Sequence, residues 1–353
     1  EGEVWSPDGK SQDDFMMKDE CIVLNFSDDV IGHDNKYNCH KFIVGQNKGM
    51  LHRAFSVMLF DCEGKLLLQQ RAGVKITFAD VWTNTCCSHP LHGMSPKEVD
   101  DPEATLRGDP MGVKHAAIRK LDHELGIPAQ ALDVNKFTFV TRVHYAAADV
   151  VTHGPDAPWG EHEVDYLLCY KLDVDGEQLK ITPHPEEVRD VRWVTQQELF
   201  RLMDEKKEMP LWSPWFCIIA RKFLEKTWWG SLKDKKAVVK TCKDWATIHR
   251  FDCPDHLAKD GVGGGQGHGA RTQTTASGTA PAIFHGGGGS HGDKKKTTSP
   301  GLPTCFHDQP FKVPLYNIRR TCVSSSAFTA TSFPLSSSSS LVCTLSDTAS
   351  PSS

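Results

Sequence analysis

A break in composition near residue 260 limits how much of this chain can fold. No glutamate follows Glu225, and from Gly261 the sequence reads GVGGGQGHGARTQTTASGTAPAIFHGGGGSHGDKKKTTSPG before a Ser/Thr-rich end that includes 336-SSSSS-340. Such a segment buries too little apolar surface to offset the entropy of ordering it. Residues 251–353 are therefore expected to be a low-complexity, disordered tail, with 311-FKVPLYNIRR-320 as its apolar island. The acidic, polar start 1-EGEVWSPDGKSQDDF-15 has no signal-peptide pattern, and residues 1–19 are expected to be a flexible lead-in. A start at Glu1 is expected of a fragment or processed form, so no transit peptide is visible. Between these ends, residues 20–250 are long enough for one substantial core.

Bulk properties exclude several classes. A net charge of −5 over 353 residues offers no basic face for nucleic acid. No run approaches the roughly 20 apolar residues that span a bilayer. The 12 cysteines show no C-x-x-C pair, which fits free thiols in a reducing compartment rather than a disulfide framework. A bridge between Cys86 and Cys87 would strain the peptide joining them.

Strands are expected at 54-AFSVMLF-60 and 65-KLLLQQR-71, joined by the acidic turn 61-DCEG-64 as a hairpin. In 111-MGVKHAAIRKLDHELGI-127, Val113, Ala117, Ile118, Leu121 and Leu125 share one helical face, with Gly126 and Pro128 as stop signals. Further strands fit 137–145, 162–172 and 190–194. A capping box at 195-TQQE-198 opens a helix to about Lys206, and another helix runs from about Pro214 to Trp229. Helices and hairpins alternate irregularly, so the fold class is α+β (mixed α/β) around a central sheet.

Three readings compete for 83-TNTCCSHP-90: metal site, disulfide, or reactive thiol. In 159-WGEHEVDY-166 a strand would place Glu161 and Glu163 on one face, where paired carboxylates repel unless a cation or proton lies between them. A solvated strand edge is the blander reading of E-x-E. Imidazoles at His40, His52 and His89 together with such carboxylates suit Zn²⁺, Mn²⁺ or Mg²⁺, although with 17 histidines in the chain the spacing alone proves little. Lys36, Arg71 and Lys75 flank the same region and suit a diphosphate, or are ordinary surface charges. The run from Arg119 to Ile127 resembles the end of a Nudix box, yet Lys120 and His123 stand where hydrolases of that superfamily carry metal-binding glutamates. The scaffold fits and the hydrolytic carboxylate cluster does not.

Taken together, 52-HRAFSVMLF-60, 66-LLLQQR-71, 82-WTNTCCSHPL-91, 117-AIRKLDHELGIP-128, 159-WGEHEVDYLL-168 and 212-WSPWF-216 resemble the type I isopentenyl-diphosphate isomerases of the Nudix superfamily, closest to plant and algal forms. The resemblance covers about residues 20–250 and implies a Nudix-like sandwich of a mixed sheet flanked by helices. It implies that Cys87 and Glu163 are catalytic and that Tyr145 is an aromatic residue of the apolar pocket; a relay of protons to the glutamate is the further part expected of Tyr145. It further implies that His40, His52, His89, Glu161 and Glu163 bind one divalent metal (Zn²⁺, Mn²⁺ or Mg²⁺), while Glu124 helps hold the Mg²⁺ that attends the substrate diphosphate. Lys36, Arg71 and Lys75 would contact that diphosphate, and Trp215 would wall the apolar pocket; Cys86 has only a packing role. The family usually has proline, often followed by glycine, before W-T-N, and here Ala79-Asp80 stand there. The expected partner is a small diphosphate, with no nucleic acid, no membrane span and a monomeric state. The expected compartment is plastid or cytoplasm.

This family moves a double bond. An acid protonates an unactivated alkene to a tertiary cation, a base takes a proton from the neighbouring carbon, and apolar walls keep water from the cation. The rival readings are a Nudix diphosphate hydrolase, a non-catalytic metal- or diphosphate-binding protein, and a structural zinc site at Cys86, Cys87 and His89.

Overall fold

The apolar runs 54-AFSVMLF-60 and 166-YLLCY-170 lack polar alternation, as strands do when both faces of a sheet are covered. A computed structural model describes residues 2–42, 49–204, 211–231 and 244–251. Apart from Phe251, the expected tail lies outside the described residues, as do the last two residues of the helix expected to reach Lys206.

In chain order the main elements are α1 (Gln12–Lys18), β1 (Glu20–Leu24), β2 (Val30–Asn35), α2 (Lys36–His40), β3 (His52–Phe60), β4 (Leu66–Arg71), β5 (Trp82–Thr83) and β6 (Cys86–Ser88). They continue with α3 (Pro102–Leu106), α4 (Met111–Leu125), β7 (Thr138–Ala148), α5 (Val150–His153), β8 (Gly160–Lys171), β9 (Val188–Val194), α6 (Gln196–Asp204), α7 (Pro214–Ile219) and β10 (Ile248–Arg250). After α7 the chain widens into π-helical turns over Ala220–Trp228.

The sheet runs β10-β7-β8-β3-β1-β2. At its centre β3 and β8 are parallel, and both are buried along almost their whole length. The hairpin at 61–64 delivers β4, which pairs with β5 and β9, while β6 lies along β3. One face is covered by α4, whose Val113, Ala117, Leu121 and Leu125 are buried as the periodicity predicts, with Ile118 half-buried. The other is covered by α7 and the turns after it, through Trp215, Phe216, Ile219 and Leu224. The mixed sheet between helical layers is the expected α+β architecture.

Some local signals hold in detail. The capping box at α6 is reciprocal: Thr195 Oγ1 accepts the Glu198 N–H at 3.2 Å, and Glu198 Oε2 accepts the Thr195 N–H at 3.3 Å. Gly126 ends α4 with φ +59°, and a Cβ there would lie 2.4 Å from the Thr182 carbonyl oxygen. Gly126→Ala is therefore expected to cost at least about 2 kcal/mol, combining left-handed strain with a backbone clash. Urea denaturation measures it, and a loss under about 0.5 kcal/mol, the scatter of an innocuous substitution, would contradict it.

Elsewhere the structure adds elements. Within 1–19, where the sequence offered none, α1 is held by the Ser11–Asp14 capping box and buries Phe15 and Met16. Its seven residues are too few for periodicity to register, and tertiary contacts such as Gln12 Nε2 to Glu187 Oε1 at 2.7 Å secure it. β1, β2 and α2 were likewise not anticipated.

Candidate active site

Strand register brings the chemistry together. His52 on β3, Glu163 on β8 and Tyr145 on β7 are in-register neighbours across three adjacent strands. Glu161 lies two residues from Glu163 and so shares its face. On the other flank of β3, Cys87 on β6 pairs with Ser56, and His89 follows immediately after β6. α2 presents Lys36 and His40 one helical turn apart, and the bridge from Lys41 to Trp159 seats its end beside the start of β8.

These side chains line one cavity, shared by Lys36, His40, Arg71, Lys75, Cys87, His89, Glu124, Tyr145, Glu161, Glu163 and Trp215. Every site residue expected from the sequence is in that lining except His52, which lies behind it in the His/Glu cluster. Thr77 and Ser88, which were not singled out, also line it.

The donor set of His40, His52, His89, Glu161 and Glu163 fits a divalent cation. One donor atom from each lies within 4.8 Å of all the others. His40 Nδ1 donates to the Lys36 carbonyl at 2.7 Å and His52 Nδ1 to the Met50 carbonyl at 2.8 Å, which turns the Nε2 of each ring towards the cluster. His40 Nε2 faces Glu161 Oε2 at 2.8 Å. His40 Nε2, His52 Nε2 and Glu161 Oε2 are buried without hydrogen-bond partners. Burial, with His40 next, pushes His52 down to about 3, and burial with His40 and His52 likewise lowers His89. Donors about 2.1 Å from a shared ion lie roughly 3–4 Å apart, the range of most separations here.

The two carboxylates diverge. Burial is the largest single influence on Glu161 and raises it, but His40, His52 and Arg71 together outweigh it and hold that carboxylate down at about 2. Burial, then the charges of Glu161 and Asp165, pushes Glu163 well up. Tyr145 Oη donates to Glu163 Oε2 at 2.5 Å, and His89 Nε2 lies 2.9 Å from Oε1.

Burial pushes the Cys87 thiol up to about 12, although the Arg71 guanidinium, 3.9 Å from Sγ, pulls the other way. Arg71 is fixed by the carbonyls of Phe78 at 2.9 Å and Thr77 at 2.7 Å, and lies 5.7 Å over the Trp215 ring. Trp215 Nε1 donates to Asn84 Oδ1 at 3.2 Å, while Asn84 Nδ2 donates to the carbonyl of Cys86 at 2.8 Å. Asn84 thus orients both the aromatic wall and the strand bearing Cys87, a role its place in TNTCCSHP did not reveal. Lys75 pairs with buried Glu187, which sequence reasoning also missed. Cys86 is buried, with Sγ 3.5 Å from Glu124 Oε2, and the seven cysteines among the described residues are thiols rather than disulfides.

At the end of α4, the Lys120 ammonium sits 3.2 Å from Glu124 Oε1 and 3.0 Å from His123 Nδ1. Lys120 therefore sets a cation directly beside the Glu124 carboxylate.

Residues 50–216 match the model of the NUDIX domain, so the sandwich and its cavity are of the Nudix class. Within that class the chain is 43% identical over 239 residues to isopentenyl-diphosphate Delta-isomerase I of Clarkia breweri, covering 67% of this chain and 76% of that one. It is 41% identical to isopentenyl-diphosphate Delta-isomerase I of Camptotheca acuminata, covering 67% and 92%. It is 42% identical to isopentenyl-diphosphate Delta-isomerase II, chloroplastic, of Arabidopsis thaliana, covering 67% and 76%. The chain belongs to the isopentenyl-diphosphate Delta-isomerase family. No helix among the described residues is long and apolar enough to cross a membrane.

Proposed function

We propose that this protein interconverts isopentenyl diphosphate and dimethylallyl diphosphate through an acid–base pair formed by Cys87 and Glu163. The observation that carries this reading is a thiol and a tyrosine-bonded carboxyl in one cavity whose other walls are cationic and aromatic. Family membership favours it over hydrolysis, as does Lys120 beside Glu124.

Lys36, Arg71 and Lys75 bind the diphosphate and orient the butenyl chain towards Trp215. One member of the pair gives a proton to the terminal methylene carbon, which leaves a tertiary cation. The other takes a proton from the carbon next to it, and the double bond moves inward. Because the reaction is reversible, each group is the acid in one direction and the base in the other. Tyr145 holds and relays the Glu163 proton. The Trp215 face stabilises the cation and excludes water that would capture it as an alcohol. When bound, a divalent cation (Zn²⁺, Mn²⁺ or Mg²⁺) at His40, His52, His89, Glu161 and Glu163 would tune the acidity of Glu163, and Mg²⁺ at Glu124 would neutralise substrate charge. The chloroplastic names of several relatives favour a plastid setting. We take the working unit to be a monomer.

Proton NMR of isopentenyl diphosphate with Mg²⁺ and the purified protein in deuterated water tests this. Growth of dimethylallyl diphosphate signals, with deuterium entering both isomers, is expected. Release of inorganic phosphate or pyrophosphate would return the protein to the hydrolases, and unchanged substrate with metal-loaded, folded protein would make it a binding protein.

A further inference from the structure

At the end of β3 furthest from the cavity, a buried carboxylate is left half-partnered. Asp61 is 0% exposed; its Oδ1 accepts the Lys65 N–H at 2.8 Å, but its Oδ2 has no hydrogen-bond partner. Burying a charged oxygen without compensation is costly, so something should face it. Two more carboxylates nearby add to that cost rather than offset it. Glu63 in the same hairpin and Asp175 in the loop after β8 each bring an oxygen within 4.8 Å of one from Asp61. The two loops are fastened together by the Cys62 N–H donating to the Val174 carbonyl at 3.0 Å. Asp175 is held in place where its Oδ1 accepts the Glu177 N–H at 2.9 Å. The positive group facing the three is Lys65, whose Nζ pairs with Glu63 Oε2 at 2.7 Å and leaves Asp61 Oδ2 unserved.

We infer that Asp61, Glu63 and Asp175 form a second cation site, for a hard divalent ion of the calcium type. The donors are all oxygen, which selects calcium or magnesium over zinc or copper. They come from two irregular loops and include exposed Glu63, an arrangement that suits the flexible, partly hydrated shell of calcium better than the strict octahedron of magnesium. Lys65, about a third exposed, swings out to solvent when the ion enters. The site is remote from the His/Glu cluster. His52 begins β3 and Asp61 follows its end, so at a rise of ~3.3 Å per residue the strand separates them by roughly 30 Å.

Its role is to clamp the hairpin and the β8 exit loop beneath the last helical run. Trp229 Nε1 donates to the Gly64 carbonyl at 2.9 Å, and the helical run that reaches Trp229 begins with α7, which carries Trp215. Occupancy therefore raises stability without entering the reaction.

Terbium, an oxygen-seeking calcium surrogate that emits when excited through a nearby indole, tests this with Trp229 as the antenna. The full chain is first loaded with Zn²⁺ so that the His/Glu cluster is filled. Terbium emission that Ca²⁺ displaces is expected, together with a Ca²⁺-dependent rise in Tm. Glu63→Gln and Asp175→Asn, both at accessible positions, should each weaken Ca²⁺ competition at least tenfold and abolish the Tm rise, with isomerase turnover unchanged. Lys65→Met should tighten binding. Emission that neither carboxylate substitution alters, or no Ca²⁺-displaceable emission from the wild type, would overturn the site.

Discussion

Glu163→Gln is expected to lower isomerase turnover by about 10²–10⁴-fold, the usual contribution of a positioned acid or base, while the protein stays folded. Glutamine fills nearly the same volume and can still turn an oxygen towards His89, so the strand and the His/Glu cluster keep their shape. It cannot carry an exchangeable acidic proton on the group that accepts from Tyr145 Oη at 2.5 Å. Turnover is measured beside metal content and near-ultraviolet circular dichroism. Lost turnover with metal and fold retained supports proton transfer at Glu163. If metal is lost along with turnover, the residue is a ligand first. Turnover within threefold of wild type would sink the assignment. Cys87→Ala supplies the contrast, because Cys87 is not among the clustered metal donors. It should abolish turnover to a similar degree with metal content untouched.

The motif residues were legible because they sit where local sequence rules are strong. A strand's period of two placed Glu161 and Glu163 on one face, and the helix stop at Gly126 fixed the end of α4. Family resemblance, rather than spacing, picked out His40, His52 and His89 from many histidines. Their convergence depends on β3 and β8 being parallel neighbours, and the pairing of His52 with Glu163 joins residues more than a hundred positions apart. Asn84, Thr77 and Glu187 were not legible because each works through a distant partner: Trp215, Glu161 and Lys75 respectively. α1 was missed for a related reason, since its two buried side chains are stabilised by surfaces remote in sequence rather than by its own pattern. The departure at Ala79-Asp80 also has a local meaning. Asp80 takes φ +60°, a left-handed value that glycine adopts more easily, and its carboxylate pairs with Arg189 at 2.8 Å.

Removal of the Asp28 carboxylate is expected to cost about 3–5 kcal/mol, the range for breaking one partner out of a buried ionic network. Asp28 sits in the turn between β1 and β2 at φ +69° and is 4% exposed. Its Oδ1 accepts from Arg53 Nη2 at 2.8 Å and Nε at 3.2 Å, and its Oδ2 accepts from Arg142 Nη1 at 2.8 Å and Tyr166 Oη at 2.5 Å. One carboxylate thus ties the β1–β2 turn to β3, β7 and β8. Both guanidiniums are buried, and arginine cannot discharge itself as a buried lysine can, so losing Asp28 leaves two positive charges facing each other in a dry interior. Asp28→Gly isolates this effect, because glycine tolerates the left-handed turn whereas alanine would add ~1 kcal/mol of backbone strain. Urea denaturation should show the midpoint falling at unchanged slope, and the folded fraction should keep its turnover, since Asp28 does not line the cavity. A glycine variant within ~1 kcal/mol of wild type would mean that the arginines find other partners. A lower denaturation slope as well as a lower midpoint would mean instead that the β1–β2 edge has detached as a separate unit, and with it the chain leading into α2 and His40.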